Sequence, residues 1–460
     1  MTILAAAAAL SATAFAAPET EFSRIMKRGG DVAVSVVDAE TGALLYGHRD
    51  STPLKPASVM KVITSYAALK DLGPEYRFRT RVLASGWAAG RVERLYAAGD
   101  GDPSFNTESM WILARGVKLR GVKSVDELAL DSSAFADTAL RSGERAYQAA
   151  GSALSFNYNS LAFDICPSDR GQPALVTADP WEYGCRIEGR VATVAGKAVQ
   201  VGVEEISAQP VCGGTAGFRV TGSIGASAAC QRIYRSMPCP EEYFGKVLRE
   251  NLQLLGIAVK RGPILRGAPA DARELYVHES KPLSQIVEDM NHYSSNFAAE
   301  QLVAALDRTG RNGKRREVGL ARLRAVVAGW GFADEEYRIV DGSGLSHENR
   351  LSARIVTRAL LEALRDPQID AEFEKSLSVA GRSGTLRRRS LVSDGPVVRA
   401  KTGTIDGVSG LAGYVRGAAG RLLAFAILQN GGGPEGLEAK WAVEKQVLQA
   451  IIGLGLAENT

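Results

Sequence analysis

The sequence predicts an α/β (α+β) fold: an antiparallel sheet flanked by helices, assembled from both ends of the chain and interrupted by a mostly β insertion of one or two domains. Three observations predict it. Strand-like runs with turn chemistry open the chain, and a second strand-rich group ends in a closing helix. Between them the texture changes to short alternating runs, rich in glycine and holding all five cysteines. The 460 residues, 45% of them hydrophobic, provide for roughly two to three domains with a sizeable core.

Met1–Ala17 is a short apolar run closed by the small-residue pattern Ala14-Phe15-Ala16. It predicts an export signal cut near Ala16 or Ala17, although the usual early Lys or Arg is missing, and it is too short to span a bilayer. Asp31-Val-Ala-Val-Ser-Val-Val37 and Ala43-Leu-Leu-Tyr46 read as strands joined by the turn-forming Asp38-Ala-Glu-Thr-Gly42. From Ser58, the residues Val59, Val62, Ile63, Tyr66, Ala67 and Leu69 keep helical spacing until Gly73-Pro74 stops the run, so Ser58 stands at a helix N-terminus. Positions 79–276 carry strand-like runs such as Arg79-Thr-Arg-Val-Leu83 and Val191-Ala-Thr-Val194. Helical patterning resumes over Pro282–Met290, Glu300–Leu306 and Glu317–Trp330. Strands follow over Val397–Lys401, Leu411–Val415 and Leu422–Leu428, and a helix from about Leu437 to Ile452 closes the chain.

The 55 basic and 51 acidic residues leave a formal charge of +4, which provides no broad field for gripping nucleic acid. Cys166, Cys185, Cys212, Cys230 and Cys239 form no Cys-x-x-Cys pair, and the only histidines are His48, His278, His292 and His347. A zinc site is poorly supported, and no metal or other cofactor is expected. In an oxidising compartment one or two disulfides are expected, with at least one thiol left over.

Three short motifs carry chemistry. In Ser58-Val-Met-Lys61, residues three apart share a helix face, so an unprotonated lysine can take the proton of the serine hydroxyl. Ser294-Ser-Asn296 offers a proton relay at Ser294 and an amide at Asn296 for a peptide-like substrate. Lys401-Thr-Gly-Thr404 ends a strand; Lys401 can hold a terminal carboxylate and Gly403 permits close backbone approach. The N–H groups of Ser58 and Thr404 are candidate oxyanion donors. Alone, each motif is more often a helix cap or a turn. Their joint order and spacing make coincidence improbable.

With these three motifs, the sequence resembles the class C low-molecular-mass penicillin-binding proteins, the D-Ala-D-Ala carboxypeptidase/endopeptidase family. Pro56–Lys61, Gly99-Asp-Gly-Asp-Pro103, Asp341-Gly-Ser-Gly-Leu-Ser346 and Ala380-Gly-Arg-Ser-Gly-Thr-Leu386 carry the likeness across nearly the whole chain. Ser295 departs from the Asp often found in the second motif. The resemblance implies a penicillin-binding, serine β-lactamase-like transpeptidase fold, with a signal at 1–17, a discontinuous catalytic domain at 18–78 and 277–460, and the insertion at 79–276. It implies that Ser58 attacks, Lys61 is the base, Ser294 and Asn296 move a proton and align substrate, and Lys401, Thr402 and Thr404 bind the carboxylate. The implied partners are peptidoglycan peptides and β-lactams as covalent inhibitors, in the periplasm; peripheral membrane association stays open, as does oligomeric state.

Two rival readings remain: a β-lactamase-like hydrolase with fast deacylation, and a non-catalytic wall-binding scaffold, which has no need of all five of Ser58, Lys61, Ser294, Asn296 and Lys401. A Ser-His-Asp hydrolase is disfavoured because no Gly-x-Ser-x-Gly elbow occurs, and Gly310–Arg315 lacks the Ser or Thr of a nucleotide-binding loop. Asp341–Ser346 is expected to form a supporting turn, Arg387-Arg-Arg389 a solvated helix face, and His292 a surface or capping histidine.

Overall fold

The computed structural model describes residues 30–135, 143–206, 216–307, 314–389, 391–392, 395–417, 420–431 and 436–454. The expected export signal and Cys212 fall outside them. The described residues divide into two compact units: the first holds those up to Glu75, Leu283–Ala299 and those from Leu320, the second those of Tyr76–Pro282 and Glu300–Gly319.

The first unit is built on a six-stranded antiparallel sheet in the order Ser378–Val379, Val398–Ile405, Val408–Arg416, Leu422–Asn430, Asp31–Asp38, Leu44–His48. The chain ends meet where Asp31–Asp38 pairs with Leu422–Asn430. These strands are nearly continuous apolar runs because both faces of the sheet are covered. On one face Val32, Val34, Phe425 and Ile427 pack with Val443, Val447 and Ile451 of the closing helix Gly436–Leu454, each fully buried side chain stabilising by about 1.5–3 kcal/mol. On the other face the hydroxyls of Ser35 and Thr357 meet at 2.9 Å, and Tyr414 Oη donates to Leu360 O at 2.6 Å. Thr357 and Leu360 belong to the amphipathic helix Ala353–Arg365. Along Val398–Ile405 the two-residue alternation puts Val398 and Ala400 on the closing-helix face, and therefore Lys401 and Gly403 on the opposite one. The helix that follows Ser58, Lys61–Leu72, packs against Ala353–Arg365 and Leu283–His292.

The second unit has a five-stranded sheet in the order Ala258–Leu265, Ser124–Asp131, Arg91–Gly99, Arg79–Ala88, Arg273–Glu279. Arg79–Ala88 and Arg91–Gly99 form a hairpin, but Ser124–Asp131 pairs in parallel with both Arg91–Gly99 and Ala258–Leu265. Parallel neighbours need crossovers, and helices Thr107–Leu119 and Pro240–Leu254 supply them. The sequence reads this region as mostly β and singles out no helix in it, yet the helix signals are there. Met110, Leu113, Ala114 and Val117 keep helical spacing, Asn106 accepts from Ser109 N–H at 3.0 Å as an N-cap, and Pro240 opens the second helix. A three-stranded and a four-stranded sheet complete the unit. Cys166 is bonded to Cys230, and Cys239 is also disulfide-bonded. Cys185 is a half-buried free thiol whose burial pushes its pKa up to about 11.

Candidate active site

Ser58 lies on a short 3-10 turn, Ala57–Met60, that runs directly into helix Lys61–Leu72. Two backbones press on this turn. A Cβ on Gly403 would stand 2.7 Å from Pro56 O, and one on Gly344 would stand 1.8 Å from Ala57 O. Only glycine allows both approaches, and Gly344 also has φ +79°, in the left-handed region that other residues avoid. Ala57 itself is held at φ +46°, so the residue before the candidate nucleophile stores backbone strain.

Lys61, first residue of its helix and fully buried, reaches three oxygens: Ser58 Oγ at 2.9 Å, Asn296 Oδ1 at 2.8 Å and Ser343 O at 2.7 Å. The first motif and the third residue of the second are thus joined by one amine. Ser343 belongs to the turn Asp341–Ser346, whose Asp341 carboxylate accepts from Gly344 N–H at 2.6 Å, Ser346 N–H at 2.7 Å and Asn349 Nδ2 at 2.8 Å. Thr64 Oγ1 ties the same turn to the Lys61 helix by donating to Gly342 O at 2.7 Å. The sequence announces this turn through its Asp and glycines; that the Ser343 carbonyl faces Lys61 has no sequence signal.

Ser294 sits between two helices rather than within one. Helix Leu283–His292 ends and helix Asn296–Ala305 begins on either side of it. The Ser295 N–H donates to Met290 O at 2.9 Å, the bond that closes a helix whose next residue turns left-handed, and Ser294 is that residue at φ +55°. Ser295 Oγ then caps the second helix by accepting from Ala298 N–H at 3.1 Å. This reversal between two helices aims Ser294 Oγ at Lys401 Nζ, 3.0 Å away.

Lys401 is also fully buried, with Thr402 O at 2.8 Å as its other partner. Burial first, and the Lys61 charge second, hold its amine well below the usual lysine value. The ammonium expected to meet a carboxylate directly is therefore covered, while Thr404 of the same strand is exposed. Thr402 Oγ1 lies 2.8 Å from Thr385 Oγ1, a hydroxyl that sequence reasoning did not single out although Ala380–Leu386 carried part of the family likeness. Because Ser378–Val379 pairs only with Ala400 and Arg399, no described strand pairs with the outer edge of Lys401–Ile405. The structure thus brings Ser58, Lys61, Ser294, Asn296 and Lys401–Thr404 into one site. His292, last residue of its helix, stays apart from these hydrogen bonds, and its Nε2 is buried with no hydrogen-bond partner among the described residues. Arg389 is not a solvated helix residue: it pairs with the buried Glu444 at 2.6 Å and stacks over Trp441, because burying Glu444 requires a cation beside it. Among the described residues, no group of His, Cys, Asp or Glu able to hold a metal ion is found, and no helix is long and apolar enough to cross a membrane.

The profile of the D-Ala-D-Ala carboxypeptidase 3 (S13) family matches residues 25–450. The chain belongs to this family. Among S13-type relatives, the D-alanyl-D-alanine carboxypeptidase of Actinomadura sp. (strain R39) is 34% identical over 442 residues, covering 90% of this chain and 80% of its own. The D-alanyl-D-alanine carboxypeptidase DacB of Haemophilus influenzae is 23% identical, over 92% of this chain and 90% of its own. The crystal structure of penicillin binding protein 4 (dacB) from Haemophilus influenzae matches with a TM-score of 0.78 at 21% identity, over 94% of this chain and 99% of that one. The peptidoglycan endopeptidase Bd3459 of Bdellovibrio bacteriovorus matches with a TM-score of 0.52 at 15% identity, over 91% of this chain and 90% of its own. The antiparallel sheet with flanking helices expected from the sequence is the fold of the first unit.

Proposed function

We propose that this chain is a serine D-Ala-D-Ala carboxypeptidase, and an endopeptidase on cross-linked peptides, working through an acyl-enzyme on Ser58. The observation that carries the reading is the single amine of Lys61 within 2.9 Å of both Ser58 and Asn296, with Lys401 beneath Ser294 in the same site.

A peptide ending in D-Ala-D-Ala lies extended along the open edge of Val398–Ile405. Its terminal carboxylate meets the hydroxyls of Thr402 and Thr404, beside the buried Lys401 amine that holds Ser294 Oγ. Ser58 Oγ attacks the penultimate carbonyl carbon as Lys61 Nζ takes its proton. The oxyanion is received by the N–H groups of Ser58 and Thr404, with Gly403 allowing the strand to come close. The C–N bond breaks, Lys61 returns the proton by way of Ser294 to the departing amine, and D-alanine leaves. Water then attacks the ester, giving a proton to Lys61, and Ser58 recovers its hydrogen. A cross-link differs only in the amine that departs, which is why both activities follow from one site. β-Lactams acylate Ser58 in the same way and are released slowly.

The export signal at 1–17 sends the chain to the periplasm, a location supported by its oxidised cysteines. The division into a catalytic part at 18–78 with 277–460 and an insertion at 79–276 is supported by unit boundaries after Glu75 and Pro282, although Glu300–Gly319 groups with the second unit. Assays on a pentapeptide ending in D-Ala-D-Ala and on a cross-linked muropeptide dimer test the proposal. Release of D-alanine and cleavage of the dimer are both expected, and neither from Ser58→Ala; turnover of neither substrate by the parent chain contradicts it.

A further inference from the structure

The second unit contains a cavity of about 980 Å³. That lies at the large end of the roughly 300–1,000 Å³ range of ligand pockets. Trp181 stands on its wall with 64% of its surface exposed, whereas Tyr183 from the same short helix is buried. Several polar groups of the wall are already committed. Glu241 accepts from Ser152 Oγ at 2.7 Å, Glu242 pairs with Lys246 at 2.6 Å, and Arg249 Nη1 donates to Gly262 O at 2.8 Å. Three are not. Glu182 and Glu250 have no hydrogen bond or ion pair among the described residues, and Arg249 Nε is buried without an acceptor.

We propose that this cavity is a binding site for a neutral, N-acetylated sugar chain. The uncommitted groups select the chemistry. A cation suits the two carboxylates but leaves the Arg249 donor empty, and an anion suits Arg249 but meets two like charges. A pyranose chain serves all three: its hydroxyls donate to Glu182 and Glu250, its amide or hydroxyl oxygen accepts from Arg249 Nε, and its apolar C–H face lies on the exposed Trp181 ring. Lacking charge, it is not repelled by the surplus of carboxylates. The volume suits more than one ring. The site goes beyond the hydrolytic reading, adding a hold on the glycan of a wall polymer whose peptide is cut at Ser58, and it binds whether or not that chemistry exists.

Isothermal titration of the full chain with the β-1,4-linked tetramer of N-acetylglucosamine tests it. Saturable binding is expected, weakened roughly tenfold or more in Trp181→Ala and in Glu250→Gln. Ser58→Ala should bind the tetramer as the parent does, and Trp181→Ala should still be acylated by a fluorescent penicillin, which separates a lost sugar contact from a lost fold. Failure of the tetramer to bind, equal binding by both cavity variants, or saturation by 1,5-diaminopentane in its place overturns the proposal.

Discussion

A buried amine with three oxygen neighbours can be satisfied in two ways, and at Lys61 they differ by one proton. As an ammonium it donates to Ser58 Oγ, Asn296 Oδ1 and Ser343 O; as a neutral amine it donates to the two carbonyl oxygens and turns its lone pair to the Ser58 hydroxyl. The second arrangement is the one a general base needs. Lys61→Met is expected to lower kcat/KM for D-alanine release by about 10²–10⁴. Lys61→Arg should not restore it, since a guanidinium stays protonated, and activity in the arginine variant would argue against a neutral base. Ser294 tests the backbone and the hydroxyl separately. Both Ser294→Ala and Ser294→Gly lose the contact to Lys401 and should be slow, but glycine relieves the left-handed strain, so it should unfold at higher urea than alanine by about 1 kcal/mol. At this scale the motifs picked out side chains that the structure brings together. They could not show that Lys401 is covered, because burial of a charged strand residue depends on what crosses that face of the sheet.

At the scale of elements, the site depends on close approach between the Ser58 turn and the strand Val398–Ile405. In Gly403→Ala the new Cβ meets Pro56 O at 2.7 Å and Val59 N at 3.1 Å, both backbone atoms that cannot swing aside. We expect a stability cost of about 1–3 kcal/mol in urea unfolding and slower penicillin acylation, as the turn is pushed off the strand. Another turn sets a pH dependence. Asp102 Oδ1 accepts from Ser104 N–H at 2.8 Å and Ser104 Oγ at 2.7 Å, while its Oδ2 is buried with no hydrogen-bond partner among the described residues, and burial lifts the pKa to about 6. The folded chain therefore holds this proton more tightly than the unfolded one. Stability from it is full below 3.8 and lost as pH rises through about 6. Asp102→Asn should gain about 3 kcal/mol on the parent across that window in paired denaturation curves, and a difference independent of pH would contradict the burial account. Helices Lys61–Leu72 and Gly436–Leu454 were legible because apolar residues recur in them at helical spacing, and Gly73-Pro74 stops the first. Helix Ala353–Arg365 was not picked out, although Ile355, Val356, Ala359, Leu360 and Ala363 are all buried along one face.

For the whole molecule, what was legible follows from how far apart the paired segments lie in the chain. The hairpin Asp31–Asp38 with Leu44–His48 is local and its turn residues declare it; the closure of Asp31–Asp38 onto Leu422–Asn430 is not local, and was reached only because both ends read as strands around one set of motifs. The parallel pairing of Arg91–Gly99, Ser124–Asp131 and Ala258–Leu265 leaves no turn signature, so the second unit read as a mostly β insertion without its sheet order. The site shows the same division: motifs named its side chains, while Ser343 O, Thr385 and the strain at Ala57 and Ser294 came from the folded backbone. The measurement that bears most directly on all of this is mass-spectrometric mapping of the chain after brief exposure to benzylpenicillin. A single penicilloyl adduct on Ser58, absent in Ser58→Ala, is the expected result; an adduct on another residue, or one that persists in the variant, would contradict the account.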